Sequence, residues 1–166
     1  MVASLLLGLA LQSAAAPPPL NPNLRPLAFV VGSCWRGRFP DRRRTDTHCF
    51  TPAYGGAFIR DRHVVENGPR PYSGETFFRW DSAASRIRYA YYATGGNFSA
   101  GEATPLENGL NFSDETMAGG REPMEIRSSW RRDGADAYLV LTEVRQGEGW
   151  REVLRMRMER IGPAAD

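Results

Sequence analysis

Apolar and polar residues alternate along most of this chain, and turn-forming residues interrupt the alternation at short, regular intervals. In the last such stretch one face is apolar and the other charged, with Trp150, Leu154, Met156 and Met158 opposing Arg151, Arg155, Arg157 and Glu159. This pattern is typical of antiparallel strands with one solvated face. It predicts ten strands, at residues 34–39, 45–51, 57–65, 72–80, 86–94, 97–104, 110–112, 124–130, 137–145 and 150–160.

A meander of that many strands has two exposed edges unless it closes on itself. Closure removes both edges, so the sequence predicts an all-β fold, an antiparallel up-and-down β-barrel of about eight to ten strands. An open sandwich of two sheets has the same sequence pattern and is the alternative. The length of 166 residues fits one domain with enough interior to fold without metals or several disulfides.

The first sixteen residues carry no charged side chain and are predicted to be a secretory signal peptide. An apolar core at positions 2–11 precedes small residues at positions 13–16, where cleavage is expected. The stretch is too short to span a bilayer, so no integral membrane segment is expected after its removal. Residues 17–26 are proline-rich and predicted to be extended, leading into a barrel domain at residues 27–162. That domain is expected to begin with a helical turn at 27–31, ended by Gly32. The signal peptide predicts that the protein is periplasmic or secreted.

Two cysteines, Cys34 and Cys49, flank a predicted hairpin turn centred between Asp41 and Arg42. This register places them directly opposite each other, within the distance that a disulfide requires. Two cysteines in an oxidising compartment usually pair, so we predict a Cys34–Cys49 disulfide. Two free buried thiols are the alternative, and the spacing is not the Cys-x-x-Cys of redox-active pairs.

Few ionisable residues are placed for catalysis or metal binding. The two histidines, His48 and His63, fall in separate predicted strands, and a zinc site needs three or four ligands, so no metal site is predicted. Asp61 and His63 alternate to the same face of one strand and form a candidate acid–base pair. Because no nucleophile motif accompanies them, no catalytic residue is assigned, and an isomerase or hydrolase using this pair is an alternative function.

Large side chains on the predicted inner faces indicate a binding function instead. A small barrel needs many of them only to fill its interior, so a structural or interaction domain with a filled core is a further alternative. Some of them are expected to line a cavity for a small apolar or aromatic molecule. The net charge of +2 is too small to indicate nucleic acid. The predicted ligand-binding residues are Trp35, Ile59, His63, Phe78, Tyr91, Trp130 and Met156.

The segment Gly32-Ser33-Cys34-Trp35 resembles the start of lipocalin-like (calycin) barrels, whose signature Gly-x-Trp is one residue shorter. With Trp35-Arg36-Gly37 and Pro71-Tyr72-Ser73-Gly74-Glu75, the chain is most similar in pattern to bacterial DUF1579-type and nitrobindin-like domains. The resemblance implies an up-and-down barrel that holds one small ligand. Haem binding of the nitrobindin-like kind needs an axial histidine late in the chain. Residues 155–158 contain none, so no cofactor is expected.

Overall fold

The computed structural model describes residues 19–119 and 122–165, and the predicted signal peptide lies outside these residues. Within them, ten antiparallel strands pair in chain order and β1 pairs with β10, so the sheet closes into a barrel. The predicted barrel is therefore confirmed, and the open sandwich is excluded. The strands are β1 Ser33–Arg38, β2 Thr45–Ala53, β3 Phe58–Glu66, β4 Tyr72–Asp81, β5 Arg86–Ala93, β6 Asn97–Leu106, β7 Gly109–Met117, β8 Met124–Arg132, β9 Ala137–Gln146 and β10 Gly149–Pro163.

A short 3₁₀ helix at Pro22–Leu27 precedes the barrel, earlier in the chain than the helical turn predicted at 27–31. The prediction of extended chain through residue 26 was wrong there, because Asn21 caps the helix by accepting a hydrogen bond from the Asn23 amide. Proline at the first helical position, here Pro22, favours a helix rather than breaking it. Gly32 ends the following turn at a positive φ of 77°, as expected for a residue in that role.

This helix and turn close one end of the barrel. Leu24, Leu27 and Val30 are completely buried and belong to the same core as the inward-facing barrel residues. The Asn21 amide donates to the Gly56 carbonyl in the turn between β2 and β3, which fixes the helix against that end. Among the described residues, no helical segment has the length and apolar character needed to cross a bilayer.

Two β-bulges explain why the predicted inner face of β10 and the predicted end of β7 differ from the structure. The register of β10 shifts between Glu152 and Leu154, which reverses the faces of the residues before the shift. Trp150 was expected beside Leu154 on the inner face, but it lies on the outer face opposite Arg145, with the Arg127 guanidinium 4.5 Å from its ring. A second shift, between Phe112 and Glu115, breaks the alternation in β7. That strand was predicted to end at 112 and continues to Met117.

The predicted disulfide is confirmed. Cys34 and Cys49 are directly opposite in the β1–β2 register, with their Cα atoms 4.0 Å apart, and their sulfur atoms are bonded. Replacing both by serine is expected to lower the free energy of unfolding by about 3 kcal/mol, because the bridge restricts the unfolded chain over a short loop. Urea unfolding of the double variant and of the wild type, with the wild type also measured under reducing conditions, checks this. Equal midpoints for variant and wild type would contradict it.

Candidate functional site

A cavity of about 760 Å³ lies inside the barrel. It extends to the connections that follow β1, β3 and β5, at the end opposite the 3₁₀ helix. One wall is apolar and comes from the later strands, through Met117, Ile126, Trp130, Val140 and Leu154. The other wall is polar and comes from β2 to β5, through Asp46, His48, His63, Tyr72 and Tyr91. The cavity therefore has an apolar side and a polar side.

The polar wall arises from an Asp-x-His sequence that occurs in both β2 and β3. Residues two apart on a strand face the same side, so Asp46 and His48 project together, as do Asp61 and His63. The antiparallel register places His48 directly opposite His63. Each aspartate is then diagonal to the histidine of the other strand. The two imidazole rings stack with their centroids 4.8 Å apart.

His48 lies between two carboxylates. Its Nδ1 is 2.8 Å from Asp61 Oδ2, and its Nε2 is 3.3 Å from Asp46 Oδ2. Burial by itself would lower the pKa of His48, but the two carboxylates outweigh burial and raise it to about 10. Burial opposes the ionised form of Asp46, yet His48 and His63 hold the pKa of that carboxyl well below its usual range. At neutral pH His48 therefore carries a positive charge inside the barrel.

His63 continues the hydrogen bonding toward the cavity. Its Nδ1 is 3.1 Å from Asp46 Oδ1, and its Nε2 is 3.0 Å from the Tyr91 hydroxyl. The Tyr91 hydroxyl is in turn 2.7 Å from that of Tyr72, and burial raises the pKa of Tyr91, so this phenol stays protonated. A continuous chain of contacts results. We call it the polar network: Asp61, His48, Asp46, His63, Tyr91 and Tyr72.

The predicted ligand-binding residues separate into three groups. His63, Tyr91 and Trp130 lie together on the cavity wall. Phe78 lines only a deeper recess, described below. The remaining residues are packed in the core at 3% exposure or less and do not line the cavity: Trp35, Ile59 and Met156.

The predicted Asp61–His63 pair does not form, because Asp61 contacts His48 and His63 contacts Asp46 instead. Two residues on the same side of one strand lie near each other, but each aspartate lies closer to the histidine diagonal to it on the other strand of the hairpin. Asp46, His48 and Tyr72 were not predicted as site residues, although they line the cavity. The repeated Asp-x-His was the signal that could have revealed the first two, since the hairpin turn sets the register.

A recess of about 140 Å³ continues the cavity inward, sharing Tyr91, Met117, Ser128 and Trp130 with it. Two buried polar atoms at this recess, the Tyr89 hydroxyl and Glu115 Oε2, have no hydrogen-bond partner among the described residues. Burial raises the pKa of Glu115, and the neighbouring Ser99 and Tyr89 side chains only partly offset this. The recess therefore holds a carboxyl group that is costly to ionise.

Replacing Glu115 by glutamine is expected to stabilise the protein at pH 7 by about 1 kcal/mol, because a neutral amide replaces a carboxyl group that burial makes costly to ionise. The pKa of Glu115 is raised on folding, so wild-type stability declines as pH rises above the unfolded value of about 4.5 and through the folded pKa. Glu115→Gln should lack this decline. Urea unfolding between pH 4 and pH 8 measures it, with Glu125→Gln at an exposed position of β8 as the control. Parallel pH profiles for wild type and Glu115→Gln would contradict the prediction.

The fold of this chain is also found in a protein of known structure. The barrel is similar to Rv2717c from M. tuberculosis. The crystal structure of Rv2717c matches with a TM-score of 0.60 and 16% sequence identity, over 86% of this chain and 99% of Rv2717c. Because the identity is only 16%, the similarity supports the barrel fold, and no functional residues of Rv2717c are assigned to this chain. No protein-family model and no curated protein matches the sequence.

Proposed function

We propose that the protein is an exported, lipocalin-like barrel that binds a small apolar or aromatic molecule in its cavity. The observation that carries this proposal is the cavity of about 760 Å³ with one apolar and one polar wall. Its volume falls within the range of small-molecule sites, about 300–1,000 Å³. Such sites combine a mostly apolar lining with a few polar groups that fix the orientation of the ligand.

The two walls have different parts in this proposal. Burying an aromatic ligand against Trp130, Met117 and Leu154 contributes roughly 25 cal/mol for each Å² of apolar surface removed from water. The hydroxyls of Tyr72 and Tyr91 offer hydrogen bonds to one polar group of the ligand. A molecule with an apolar body and one polar end therefore suits the cavity better than a pure hydrocarbon.

Export rests on two features. The charge-free leader with its small-residue end has the pattern of a signal peptide. The Cys34–Cys49 disulfide suits an oxidising compartment. Outside the cytoplasm, a barrel of this kind can capture or carry poorly water-soluble molecules. The resemblance to DUF1579-type and nitrobindin-like domains is in keeping with a binding role.

Filling the cavity tests the binding proposal. Ser128 lies on the cavity wall, and its hydroxyl is 3.1 Å from that of Thr142. We expect wild-type protein to bind N-phenyl-1-naphthylamine saturably at one site, with enhanced probe fluorescence. Ser128→Phe should weaken binding by about tenfold or more, because the phenyl ring occupies space the probe needs.

Ser129→Phe is the matched control, because Ser129 pairs with the outward-facing Leu141 and points away from the cavity. It should bind the probe as the wild type does. Circular dichroism checks that both variants keep the barrel. Absence of saturable binding in the wild type, or equal binding by Ser128→Phe and the wild type, would contradict the proposal.

A catalytic function is the second candidate, and the link from His63 through Tyr91 to Tyr72 favours it. A histidine paired with a carboxylate and connected to a phenol at a cavity can transfer protons to or from a bound molecule. The acid–base pair would then be Asp46 with His63, in place of the Asp61 and His63 predicted from sequence. Recovery of a bound molecule with its structure changed distinguishes an isomerase or hydrolase from a carrier, which returns it intact.

A further inference from the structure

Three side chains of the polar network bring possible metal-ligand atoms close together. One ligand atom from each of Asp46, His48 and His63 lies within 4.8 Å of the others. Both imidazoles direct a nitrogen at the same carboxylate, His48 Nε2 at 3.3 Å and His63 Nδ1 at 3.1 Å. Two histidine nitrogens thus lie next to one carboxylate, His48 Nε2 beside its Oδ2 and His63 Nδ1 beside its Oδ1.

These separations match those around a metal ion. Ligand atoms bound tetrahedrally at about 2.0–2.1 Å lie about 3.3 Å from one another. The distances from the Asp46 carboxylate, 3.3 Å from Oδ2 to His48 Nε2 and 3.1 Å from Oδ1 to His63 Nδ1, are close to that value. Two imidazoles and one carboxylate form a donor set that first-row divalent ions such as Zn²⁺ and Fe²⁺ use in proteins.

The outer partners of the histidines also suit a metal site. In metal sites the nitrogen that does not bind the ion is usually held by a carboxylate or another polar group, which fixes the ring. His48 Nδ1 is 2.8 Å from Asp61 Oδ2, and His63 Nε2 is 3.0 Å from the Tyr91 hydroxyl. Both rings are therefore oriented by their second nitrogen, and their first nitrogen points at Asp46.

The three side chains lie on the cavity wall and are largely withdrawn from bulk water, Asp46 at 8% exposure and His63 at 6%. We propose that Asp46, His48 and His63 bind one divalent first-row transition-metal ion, with a coordination position open to the cavity. No metal site was predicted from the sequence, because two histidines in separate strands are too few ligands. The β2–β3 register brings those histidines together and adds a carboxylate between them.

Metal titration of the full chain, disulfide intact and stripped with a chelator, tests this proposal. Calorimetry with Zn²⁺ is expected to show one ion per chain, and Co²⁺ to give visible absorption bands of nitrogen and oxygen ligation. The chain has two histidines. Both imidazole signals in a histidine-selective NMR spectrum should therefore shift with Zn²⁺, a readout that needs no variant.

Variants locate the site. His48→Gln and His63→Gln should each weaken Zn²⁺ binding by more than tenfold, and Asp61→Asn, which removes an orienting partner, by about 10- to 100-fold. Asp136→Asn replaces an exposed aspartate that pairs with Arg160 and should bind as the wild type does. The proposal is overturned if the wild type binds none of Zn²⁺, Co²⁺ and Fe²⁺ saturably, if the imidazole signals do not move, or if the His48→Gln/His63→Gln double variant keeps wild-type affinity.

Discussion

Trp35→Ala is expected to lower the free energy of unfolding by about 4 kcal/mol, within the range for removing a buried tryptophan. Trp35 is 1% exposed, and its Nε1 donates to the Val30 carbonyl at 3.1 Å. Its ring packs edge-on against Tyr138, with centroids 5.2 Å apart. Val30 belongs to the turn that closes the barrel, so the substitution removes packing and also loosens that closure. Urea unfolding followed by far-UV circular dichroism gives the difference.

Trp150→Ala is the matched control, because it removes the same side chain from the outer face. Trp150 lies near the guanidinium groups of Arg127 and Arg145, at 4.5 and 5.4 Å from its ring. Each contact of that kind at a partly exposed site contributes about 0.5–1 kcal/mol, so losing both should cost about 1–2 kcal/mol, clearly less than Trp35→Ala costs. Similar losses in the two variants would contradict both the bulge in β10 and the assignment of Trp35 to the core.

Asp61→Asn is expected to destabilise the protein by about 3 kcal/mol when measured with a chelator present. Asp61 is 2% exposed and lies 2.8 Å from His48, which is charged at neutral pH. Asparagine has nearly the same volume, so the loss reports charge rather than packing. Breaking a buried ion pair leaves the remaining charge uncompensated, at a cost of about 3–5 kcal/mol. Asp46 still contacts His48, which places the expected value at the lower end.

A double-mutant cycle separates this pair from unrelated effects. His48→Gln combined with Asp61→Asn should cost less than the sum of the single variants, because the charge that Asp61 compensates is then absent. Asp136→Asn, which removes an exposed ion pair with Arg160, should cost at most about 1 kcal/mol. Additive losses in the cycle would show that Asp61 and His48 do not interact.

The strand pattern could be predicted because alternation and turn residues are local properties of the sequence. All ten predicted strands occur, and the Cys34–Cys49 disulfide follows from the register of one hairpin. The side of the sheet on which Trp150 lies could not be predicted. A bulge adds one residue to β10 there, and nothing in the sequence Glu152-Val153-Leu154 indicates it. The helix at Pro22–Leu27 was not predicted, because a proline-rich segment is typical of extended chain, whereas here Asn21 caps the helix and Pro22 occupies its first position.

The candidate site was predicted in part. His63, Tyr91 and Trp130 were assigned to the inner face correctly, but alternation cannot tell which inward residues fill the core and which face a cavity. That division depends on depth along the barrel, and depth is set by strand stagger and by the helix closing one end. Trp35 donates a hydrogen bond to Val30 of the closing turn and Trp130 lines the cavity, although both share the same alternation.

Closure of one end by Leu24, Leu27 and Val30 has a kinetic consequence. Under the proposed binding function, a molecule held in the cavity would enter and leave by the same route, past the connections at the other end. Substitutions at the rim that do not touch the bound molecule then change its rates of entry and exit by the same factor. Its residence time can therefore be adjusted at the rim without altering its affinity, which is set by the walls below.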